Sequence, residues 1–537
     1  MPYTTELKRQ VTLTCHSYSR NGEGLLTPFP INISLRDSLT GQILEPSPSI
    51  SLRDSLTGQV LEMDSRKQDI VKIYNCGLTV YDRAHIGHAK EIVIFDVLRR
   101  VLIAKGFKVV YVQNFTDVDD RIINKARESH LQAKDIAEKY INEYFADFEK
   151  LNIMKADHHP RATEHIETMI EIIDSLLKKG YAYISKSGVY YDVARFKEYG
   201  KLSKKGIEEL RAGYRIEPDP FKRDPADFAL WKFYDDEPLW DSPWGKGRPG
   251  WHIECSAMID KILGEPIDIH GGGEDLIFPH HENEIAQSEA YAGKILARIW
   301  MHAGLLRIKS VKMSKSLGNF IPVSEAVARF GSNTVRYYLL SAHYRKQLDF
   351  DLDRIAKANE NWRVIESAAN YLSYSKRNRE VKETISQPKQ QLADKLQELI
   401  QKFPDIPQVL EIFASFDKSL SYDLDTPSAL ASMLRISRYV NRLAGNRKLT
   451  QEVISLIEPV FYTMFYILGF KLPLIDDVTN KRIEAQVAER NSYRAKGDFL
   501  QADKIRDDLA KEGILLIDMG DSTVWYRTEI MKRNEIN

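Results

Sequence analysis

Residues 71–113 read VKIYNCGLTVYDRAHIGHAKEIVIFDVLRRVLIAKGFKVVYVQ, and they decide the fold class. The short apolar run Val71–Asn75 predicts a buried strand, and Lys108–Gln113 predicts a second one. Between them, apolar residues recur close to a 3.6-residue period, which predicts a helix over Gly87–Lys105. Strand, helix and strand make a βαβ unit, so we predict an α/β fold with a doubly wound, Rossmann-like parallel sheet.

Beyond this unit, the pattern predicts an insertion of helices and a hairpin, the second half of the sheet, a helical bundle and a small closing α+β segment. The predicted elements are helices over Val118–Leu151 and Ala162–Lys179, a hairpin over Tyr181–Asp192, sheet from near Gly250 to about Ile321, helices from Asp351 to Leu468, and a helix–turn–strand segment over Arg482–Arg527. We therefore expect a sheet domain at 51–350 with an insertion at about 118–225, a helical domain at 351–480 and a small segment at 481–537.

A short duplication marks the N-terminal extension, residues 1–50. Ser34–Glu45 reads SLRDSLTGQILE, and Ser51–Glu62 repeats it as SLRDSLTGQVLE. Two copies are too few for a solenoid, so we interpret them as a local duplication with no function of its own. We expect the second copy to take an edge-strand position, because it runs straight into the next strand, and the residues before Ile33 to be loosely ordered.

The composition excludes several classes of protein. Lys+Arg and Asp+Glu are equal at 76 each, so net charge gives no support to a nucleic-acid partner. The cysteines Cys15, Cys76 and Cys255 are too few for a disulfide framework and suit a reducing compartment. Met1–Cys15 lacks the apolar core of a signal peptide, and the most apolar run, Val460–Phe470, is about half the length that spans a bilayer. We expect a cytoplasmic protein with Val460–Phe470 in a buried helix.

His85-Ile86-Gly87-His88 lies between the first strand and the first helix. Doubly wound sheets bind ligands outside the carboxyl ends of their strands, and a helix N-terminus offers N–H groups to a phosphate. The two imidazoles can add hydrogen bonds, and Gly87 leaves room for a nucleotide. Histidines at this position also act as ordinary helix caps, so the tetrapeptide alone leaves both interpretations open.

A second basic element occurs far along the chain, as Lys312-Met313-Ser314-Lys315-Ser316. Two ammonium groups on a short polar loop can neutralise the charge that builds on a transferring phosphoryl group. The alternative is a solvated basic loop.

Four scattered side chains have the chemistry of a metal site. Cys76 ends the first strand, Cys255 lies far downstream, and His280 and Glu284 are four residues apart, so they share one helical face. Two thiolates, an imidazole and a carboxylate suit tetrahedral zinc, whereas two buried cysteines can also be plain core residues. Other possible ligands nearby are His270, His281 and Glu282.

Taken together, the two basic elements resemble the signatures of the class I aminoacyl-tRNA synthetases. His85–His88 matches their histidine signature and Lys312–Ser316 their lysine–serine signature, in the same order. The resemblance implies that ATP, with Mg²⁺, and an amino acid give an aminoacyl-adenylate and pyrophosphate, and that the aminoacyl group passes to the 3′ end of a tRNA. It also implies that Lys315 contacts ATP most directly, supported by Lys312, with His85, Gly87 and His88 completing the nucleotide site.

The chain is similar in particular to the cysteine-specific members, the cysteinyl-tRNA synthetases, from roughly Ser51 to Arg527. The segments that carry this likeness include Asn114–Asp120 (NFTDVDD), Asp227–Lys232 (DFALWK) and Ile269–Gly273 (IHGGG). The resemblance implies one zinc ion on Cys76, Cys255, His280 and Glu284, and a substrate pocket formed by Gly77, Thr79, Thr116, Trp251 and Asp275. A zinc ion separates cysteine from serine because a soft thiolate binds it well and a protonated hydroxyl does not.

The region after Asp351 resembles the anticodon-binding part of this family. Arg494, Phe499 and Asp503 are predicted on one helix, followed by Asp518 and Trp525, and arginine, carboxylate and exposed aromatic groups read and stack single-stranded bases. The resemblance implies tRNA(Cys), L-cysteine and ATP as partners; we expect a monomer and no membrane contact. Two alternatives are a cysteine-activating ligase acting on a small amine, and a zinc-stabilised RNA-binding protein without catalysis.

Overall fold

The computed structural model describes residues 48–205, 219–308, 320–377, 406–473, 476–519 and 522–528, together with short strands at 9–13, 19–20, 26–27, 33–37, 43–44 and 311–312. Seven strands precede the central sheet. They are β1 (Arg9–Leu13), β2 (Ser19–Arg20), β3 (Leu26–Thr27), β4 (Ile33–Asp37), β5 (Ile43–Leu44), β6 (Ser49–Arg53) and β7 (Val60–Asp64).

The βαβ unit is present as predicted. Strand β8 (Ile70–Thr79) pairs in parallel with β9 (Lys108–Thr116), and helix α1 (Ile86–Ala104) connects them. Both strands run past the predicted ends, because the pairing continues through an irregularity between Asn75 and Leu78. The ends of both strands carry polar residues that are buried at the carboxyl edge of the sheet. Because the prediction followed apolar residues alone, it ended both strands too early.

The insertion differs from the prediction in one element. The single helix predicted over Val118–Leu151 is wrong: α2 (Asp120–Ser129) and α3 (Ala133–Lys150) are separate, because His130 takes the left-handed conformation at φ 54° and ends α2. The helix predicted from Ala162 is confirmed as a 3₁₀ turn followed by α4, and the hairpin is confirmed as β10 and β11. The remaining elements are α4 (Ile166–Lys178), β10 (Ala182–Ile184), β11 (Gly188–Tyr191), β12 (Phe228–Phe233) and β13 (Gly247–Pro249), with β10–β13 forming one antiparallel sheet.

The second half of the central sheet comes after the insertion. Helix α5 (Trp251–Ile262) leads into β14 (Ile267–Gly273), and α6 (Glu282–Ala292) leads into β15 (Ala297–Ala303). The strand order is β15-β14-β8-β9, and all the pairs are parallel, which confirms the predicted sheet. The carboxyl ends of the two halves therefore meet at one edge.

A small three-stranded sheet and two short helices join this domain to the helical region. They are β16 (Leu306–Ile308), β17 (Val311–Lys312), α7 (Val323–Phe330), α8 (Ser332–Leu340) and β18 (Leu348–Phe350).

The described parts of the region from Asp351 to Leu468 are nearly all helical, as predicted, with short turns between the helices. The apolar run around Val460 is buried within the last helix of this bundle, α12, which confirms that prediction as well. Among the described helices, none combines the length and apolar character that crossing a bilayer requires. The helices are α9 (Leu352–Arg377), α10 (Ile406–Ser421), α11 (Thr426–Gly445) and α12 (Gln451–Ile467).

The closing segment consists of two helices and a hairpin with its own small core. Its elements are α13 (Asp477–Ala495), α14 (Phe499–Lys511), β19 (Ile514–Met519) and β20 (Ser522–Arg527).

The second copy of the N-terminal duplication lies beside β15, but the predicted edge-strand position is wrong: its two strands form a separate sheet, and the residues that contact β15 follow the end of β6. It forms the hairpin β6–β7 and contacts β15 through two hydrogen bonds. Ser55 N–H donates to the Trp300 carbonyl at 2.8 Å, and Trp300 N–H donates to the Asp54 carboxylate at 2.9 Å.

Candidate metal centre and active site

Four side chains from four elements converge at the carboxyl edge of the sheet. Cys76 is on β8, Cys255 on α5, His280 in the π turn Ile277–His281, and Glu284 on α6; all four are buried. Their ligand atoms lie within 4.8 Å of one another. The two sulfurs are 3.8 Å apart, His280 Nε2 is 3.5 Å from Cys255 Sγ, and the same nitrogen is 2.8 Å from Glu284 Oε1. The structure thus brings together the predicted quartet, which lies scattered over more than 200 residues of sequence.

The charges of this quartet fit a cation. Burial raises the pKa of Cys76, whereas for Cys255 the hydrogen bonds from Cys76 and His280 outweigh burial and lower the pKa to about 6. Burial opposes a charge on His280, yet Glu284 and Cys255 raise its pKa to about 10. Without a metal, a proton therefore keeps Cys76 neutral and a proton on His280 offsets part of the negative charge of Cys255 and Glu284, and a divalent cation can replace those two protons.

A second grouping overlaps the first and keeps Cys76 and Glu284. His281 Nε2 is 3.2 Å from Cys76 Sγ, and its Nδ1 is 2.8 Å from Nε2 of His302. His270 Nε2 is 2.6 Å from Glu284 Oε2. His281 thus contacts Cys76, and His270 contacts Glu284. The nitrogens of both histidines are also close enough to these two residues to bind a metal together with them.

A cavity opens directly above the first grouping. Trp251 stacks on the His280 ring with centroids 4.1 Å apart, and Thr116 Oγ1 donates to the buried Glu254 carboxylate at 2.8 Å. Of the second grouping, only the shared Cys76 reaches the cavity, so a ligand there meets Cys255 and His280 instead. The lining residues are Cys76, Gly77, Asn114, Thr116, Trp251, Cys255, Leu276 and His280.

The predicted pocket residues divide into two sets. Gly77 is required by packing, since a Cβ there would lie 1.6 Å from the Asn114 carbonyl oxygen. Thr79 and Asp275 are not among the lining residues: Thr79 Oγ1 accepts a hydrogen bond from Arg121, and Asp275 is exposed. Together with Thr116 and Trp251, Gly77 is thus the part of the predicted set that faces the cavity.

Sequence reasoning missed several contributors to this site. Asn114 and Leu276 line the cavity, and His252 contacts His280 through their Nδ1 atoms at 2.9 Å. His302 had one available signal: it sits on β15 in register with Gly272 of β14, at the same carboxyl edge. Glu282, a possible ligand by sequence, instead accepts backbone hydrogen bonds from residues 200–203, which holds a loop of the insertion.

The two signature histidines cap helix α1 and stack on each other. His88 N–H donates to His85 Nδ1 at 3.2 Å, His85 N–H donates to His88 Nδ1 at 3.3 Å, and the ring centroids are 3.6 Å apart. A Cβ on Gly87 would lie 2.9 Å from the His85 ring, so glycine makes this stack possible. The capping interpretation and the nucleotide interpretation are therefore compatible, because one arrangement places both rings at the helix N-terminus.

Residues 321–323, which follow the second signature segment in the chain, contact the first. Ile86 N–H donates to the Ile321 carbonyl at 3.0 Å, and Val323 N–H donates to the Ala84 carbonyl at 3.0 Å. Residues 313–319, which include Lys315, lie outside the described residues, as does the side chain of Lys312 at the end of β17. The described backbone after these residues pairs with the first signature at one bridge, between Pro322 and His85.

Comparison with known proteins agrees with this geometry. The family model described as tRNA synthetases class I (C) catalytic domain matches residues 62–360. A Cysteine–tRNA ligase of Carboxydothermus hydrogenoformans is 43% identical over 470 residues, covering 86% of this chain and 96% of that protein. A Cysteine–tRNA ligase of Aquifex aeolicus is 42% identical, covering 86% of this chain and 95% of that protein.

The chain belongs to the cysteine–tRNA ligase family. The fold is also shared with more distant solved structures. Methionyl-tRNA synthetase of Mycobacterium tuberculosis in complex with methionyl-adenylate is 16% identical, with a TM-score of 0.52, over 75% of this chain and 90% of that one. An arginyl-tRNA synthetase structure from Campylobacter jejuni is 15% identical, with a TM-score of 0.51, over 75% of this chain and 94% of that one.

The closing segment of this ligase corrects two expectations. Arg494 is on α13, whereas Phe499 and Asp503 are on α14, because Gly497 at φ 77° breaks the helix between them. Trp525 is 4% exposed and belongs to the segment's core, so it cannot stack on a base as it stands, whereas Phe499 is 62% exposed. The sequence pattern continued through Gly497, and it could not tell a buried ring from an exposed one.

Within the closing segment, the carboxylate of Asp518 on β19 pairs with two arginines of α13. Arg490 makes a two-pronged ion pair with Asp518 at 2.8 and 2.9 Å, and Arg494 contacts the same carboxylate from a more exposed position. Asp518, Arg494, Phe499 and Asp503 thus remain a predicted contact set for RNA, now distributed over two helices and a hairpin.

Proposed function

We propose that this ligase activates L-cysteine with Mg²⁺-bound ATP to give cysteinyl-adenylate and pyrophosphate, and then transfers cysteine to the 3′ end of tRNA(Cys). The observation that carries the proposal is the buried Cys76–Cys255–His280–Glu284 quartet, three members of which line a cavity. Membership of the family supports both the ATP chemistry and the tRNA partner.

The donor set of the quartet fits zinc. Two sulfurs, one imidazole nitrogen and one carboxylate oxygen match the ligands that zinc takes in proteins, and the buried anionic donors need a cation once their protons leave. When bound, zinc would supply a soft Lewis acid that prefers a thiolate to a hydroxyl, and so distinguishes cysteine from serine. A hydrophobic pocket alone separates such near-isosteres by only about 10²-fold.

The chain's own residues shape and close the pocket around a small substrate. Gly77 lets the backbone of β8 approach Asn114, which keeps the cavity narrow, and Trp251 covers His280 on the opposite side. Thr116 is held in place by Glu254. A substrate side chain bound here would therefore contact Gly77, Thr116 and Trp251 beside the metal-binding side chains that line the cavity.

The signature histidines position phosphate at the start of α1. Their stacked rings stand at the helix N-terminus, where the first N–H groups and the helix dipole favour an anion. By family resemblance, Lys312 and Lys315 contact the same phosphates. Positioning and electrostatics then account for the rate, without a covalent nucleophile.

Two alternative functions fit less well. A cysteine-activating ligase for a small amine has no need of the helical region and closing segment, yet the relatives match across 95–96% of their own length. A non-catalytic RNA-binding protein has no need of the stacked histidine pair at α1 or the enclosed cavity.

The decisive experiment is pyrophosphate exchange with purified, zinc-loaded protein. We expect exchange that requires both L-cysteine and ATP and that serine does not support. Transfer of labelled cysteine to tRNA then separates the synthetase from the small-amine ligase. Absence of cysteine-dependent exchange in protein with stoichiometric zinc would overturn the proposal.

His280 and His281 are expected to differ in their effect on bound zinc. His280→Ala removes the nitrogen that faces both Cys255 and Glu284, and we expect zinc affinity to fall by at least about 100-fold. His281→Gln changes a residue that contacts Cys76 but does not line the cavity. We expect zinc affinity to fall about 10-fold, with one zinc per chain retained. Competition with a chromophoric chelator measures both affinities; the reverse order would assign the metal to the second grouping.

For the rest of the chain, we propose a catalytic domain at 51–350 with its insertion at about 118–225, and anticodon-binding units at 351–480 and 481–537. The ligase is proposed to act as a cytoplasmic monomer. Two features of the closing segment favour RNA recognition: the exposed ring of Phe499 and the pair of arginines on Asp518.

Arg494→Ala is expected to weaken tRNA use alone. The Arg490 pair keeps Asp518 in place, so the fold of the segment survives the change. We expect kcat/KM for tRNA(Cys) to fall about 10-fold or more, with cysteine-dependent pyrophosphate exchange unchanged. Arg482→Ala is the matched control, because Arg482 lies on the same helix as Arg494 and makes an exposed ion pair with Glu512. An equal loss in both variants would show a general charge effect instead.

A further inference from the structure

The N-terminal duplication extends to thirteen residues and is almost perfect. Ile33–Glu45 reads ISLRDSLTGQILE and Ile50–Glu62 reads ISLRDSLTGQVLE, so the copies differ only at Ile43 and Val60. The second copy has a defined place in the fold, and the first copy carries almost the same residues.

The second copy docks on the edge of the catalytic sheet through side chains as well as backbone. Ile50 and Leu52 are fully buried. Asp54 accepts the Trp300 N–H at 2.9 Å and also the N–H of Thr57 at 2.8 Å, so one carboxylate holds both the sheet edge and the hairpin's own turn. Ser55 N–H donates to the Trp300 carbonyl at 2.8 Å.

The turn between α10 and α11 forms the other wall. Asp423 N–H donates to the Ser51 carbonyl at 2.7 Å, and Arg53 N–H donates to Asp423 Oδ1 at 3.0 Å. Tyr422 lies opposite Ser51 in a parallel bridge. We call Trp300, Tyr422 and Asp423 the docking site; it clamps β6 between the catalytic sheet and the helical region.

The first copy matches the second copy, which occupies the docking site, in sequence and in hairpin register. Leu35 pairs with Leu44 and Arg36 with Ile43, which are the positions 17 residues before the pairs Leu52–Leu61 and Arg53–Val60. The residues that dock are repeated without change, as Ile33, Leu35, Asp37 and Ser38. The same hairpin with the same docking groups is therefore present a second time in the chain.

The residues on the C-terminal side of each copy decide which copy is preferred. After the second copy, Met63 is buried and Asp64 makes an ion pair with Arg66 at 2.7 Å, whereas Pro46 and Ser47 take these places after the first. Seven residues (63–69) connect the second copy to β8, and 24 residues (46–69) connect the first. Closing the longer loop disfavours the first copy by only roughly sixfold.

We propose that the docking site accepts either copy, so that the first hairpin, Ile33–Glu45, replaces the second when the second leaves. The second copy occupies the site, and the first, which is tethered by the chain, must give up the pairing of β4 with β1 to replace it. The exchange matters for the metal centre because Trp300 of the docking site stacks on His270, with centroids 4.4 Å apart, and His270 contacts Glu284. When the docking site is occupied, the bound hairpin supports Trp300, and Trp300 in turn supports the His270 side of the metal centre.

A double-mutant cycle on the full chain tests the exchange. We expect Asp37→Ala alone to leave the melting temperature unchanged, and the loss caused by Asp54→Ala to be about twofold or more larger when Asp37→Ala is also present. Asp423→Ala removes a group that both copies use, so its effect is expected to be the same with and without Asp37→Ala. Additive effects of Asp37→Ala and Asp54→Ala would overturn the proposal.

Disulfide trapping gives a direct readout that does not depend on stability. Ser51→Cys with Tyr422→Cys is the positive control, since bridged partners lie within disulfide range. Ser34→Cys with Tyr422→Cys is expected to form an intramolecular disulfide, identified by mass spectrometry, with a yield about fivefold higher when Asp54→Ala weakens the second copy. Absence of this disulfide, or its formation only between two chains, would overturn the proposal.

Discussion

Cys255→Ser is expected to remove bound zinc and with it cysteine activation. Serine keeps the size of the side chain but does not give up its proton, so one of the two sulfur donors is lost from a buried quartet. We expect zinc affinity to fall at least about 100-fold, more than the loss of an outer contact causes. Cysteine-dependent pyrophosphate exchange should fall by at least the same factor, because the thiol loses the group that selects it.

Cysteine and ATP are expected to respond differently to this variant. The histidine pair at α1 is remote in sequence from Cys255 and contacts none of the quartet in the hydrogen bonds described for it, so ATP binding is expected to change little. Zinc content by metal analysis and the affinities for cysteine and ATP by calorimetry measure these effects. Cys15→Ser makes the same chemical change in the N-terminal extension and serves as the control. Unchanged zinc content in Cys255→Ser would refute the metal assignment.

Asp96→Ala is expected to destabilise the ligase by about 3–5 kcal/mol, because it leaves buried guanidinium groups without their counter-charge. Asp96 lies on α1, accepts from Arg100 Nε at 2.8 Å and forms a buried ion pair with Arg336 of α8. Arg336 also donates to the carbonyls of Leu151 and Leu468 at 2.9 and 2.6 Å. One network thus joins the signature helix, the insertion and the helical bundle, and chemical denaturation with a probe in the sheet region measures its loss.

Asp96→Asn is the matched control for this change. The amide oxygen can still accept the Met154 N–H, which the carboxylate accepts at 2.9 Å. Asp96→Asn should therefore recover only the smaller part of the stability that Asp96→Ala loses. Burial alone would raise the pKa of Asp96, but Arg100 and Arg336 outweigh burial and lower it. A carboxyl with a lowered folded pKa stabilises the fold above its ordinary pKa and loses that contribution as pH falls through the folded value. Wild type and Asp96→Ala should therefore converge in stability in acid, and a difference that persists there would contradict this account.

The sequence was strongest where a local period or a short motif carries the information. The βαβ unit, the inserted hairpin and the helical region were predicted because apolar spacing reports directly which face of an element is buried. It failed at His130 and Gly497, where one residue in a left-handed conformation divides a helix without interrupting the apolar pattern. It also ended β8 early, because strand residues at a site are polar although they are buried.

The metal centre shows the same division more sharply. Residue types and spacing suggested Cys76, Cys255, His280 and Glu284, and a family resemblance selected them, but spacing alone left His281 and plain core cysteines as alternatives. Only the packing of β8, α5 and α6 shows that His280 faces the cavity while His281 turns to His302. It also shows that Thr79 and Asp275 are not part of the cavity lining.

By itself, the sequence determined the fold class, the two nucleotide signatures and the set of atoms that can bind a metal, because each depends on residues close together in the chain or on residue chemistry. Tertiary structure alone decided which of those atoms meet, and that Phe499 rather than Trp525 is exposed. The physical reason is that such contacts join residues separated by up to several hundred positions. Their geometry is set by how elements pack, and no local pattern records that packing.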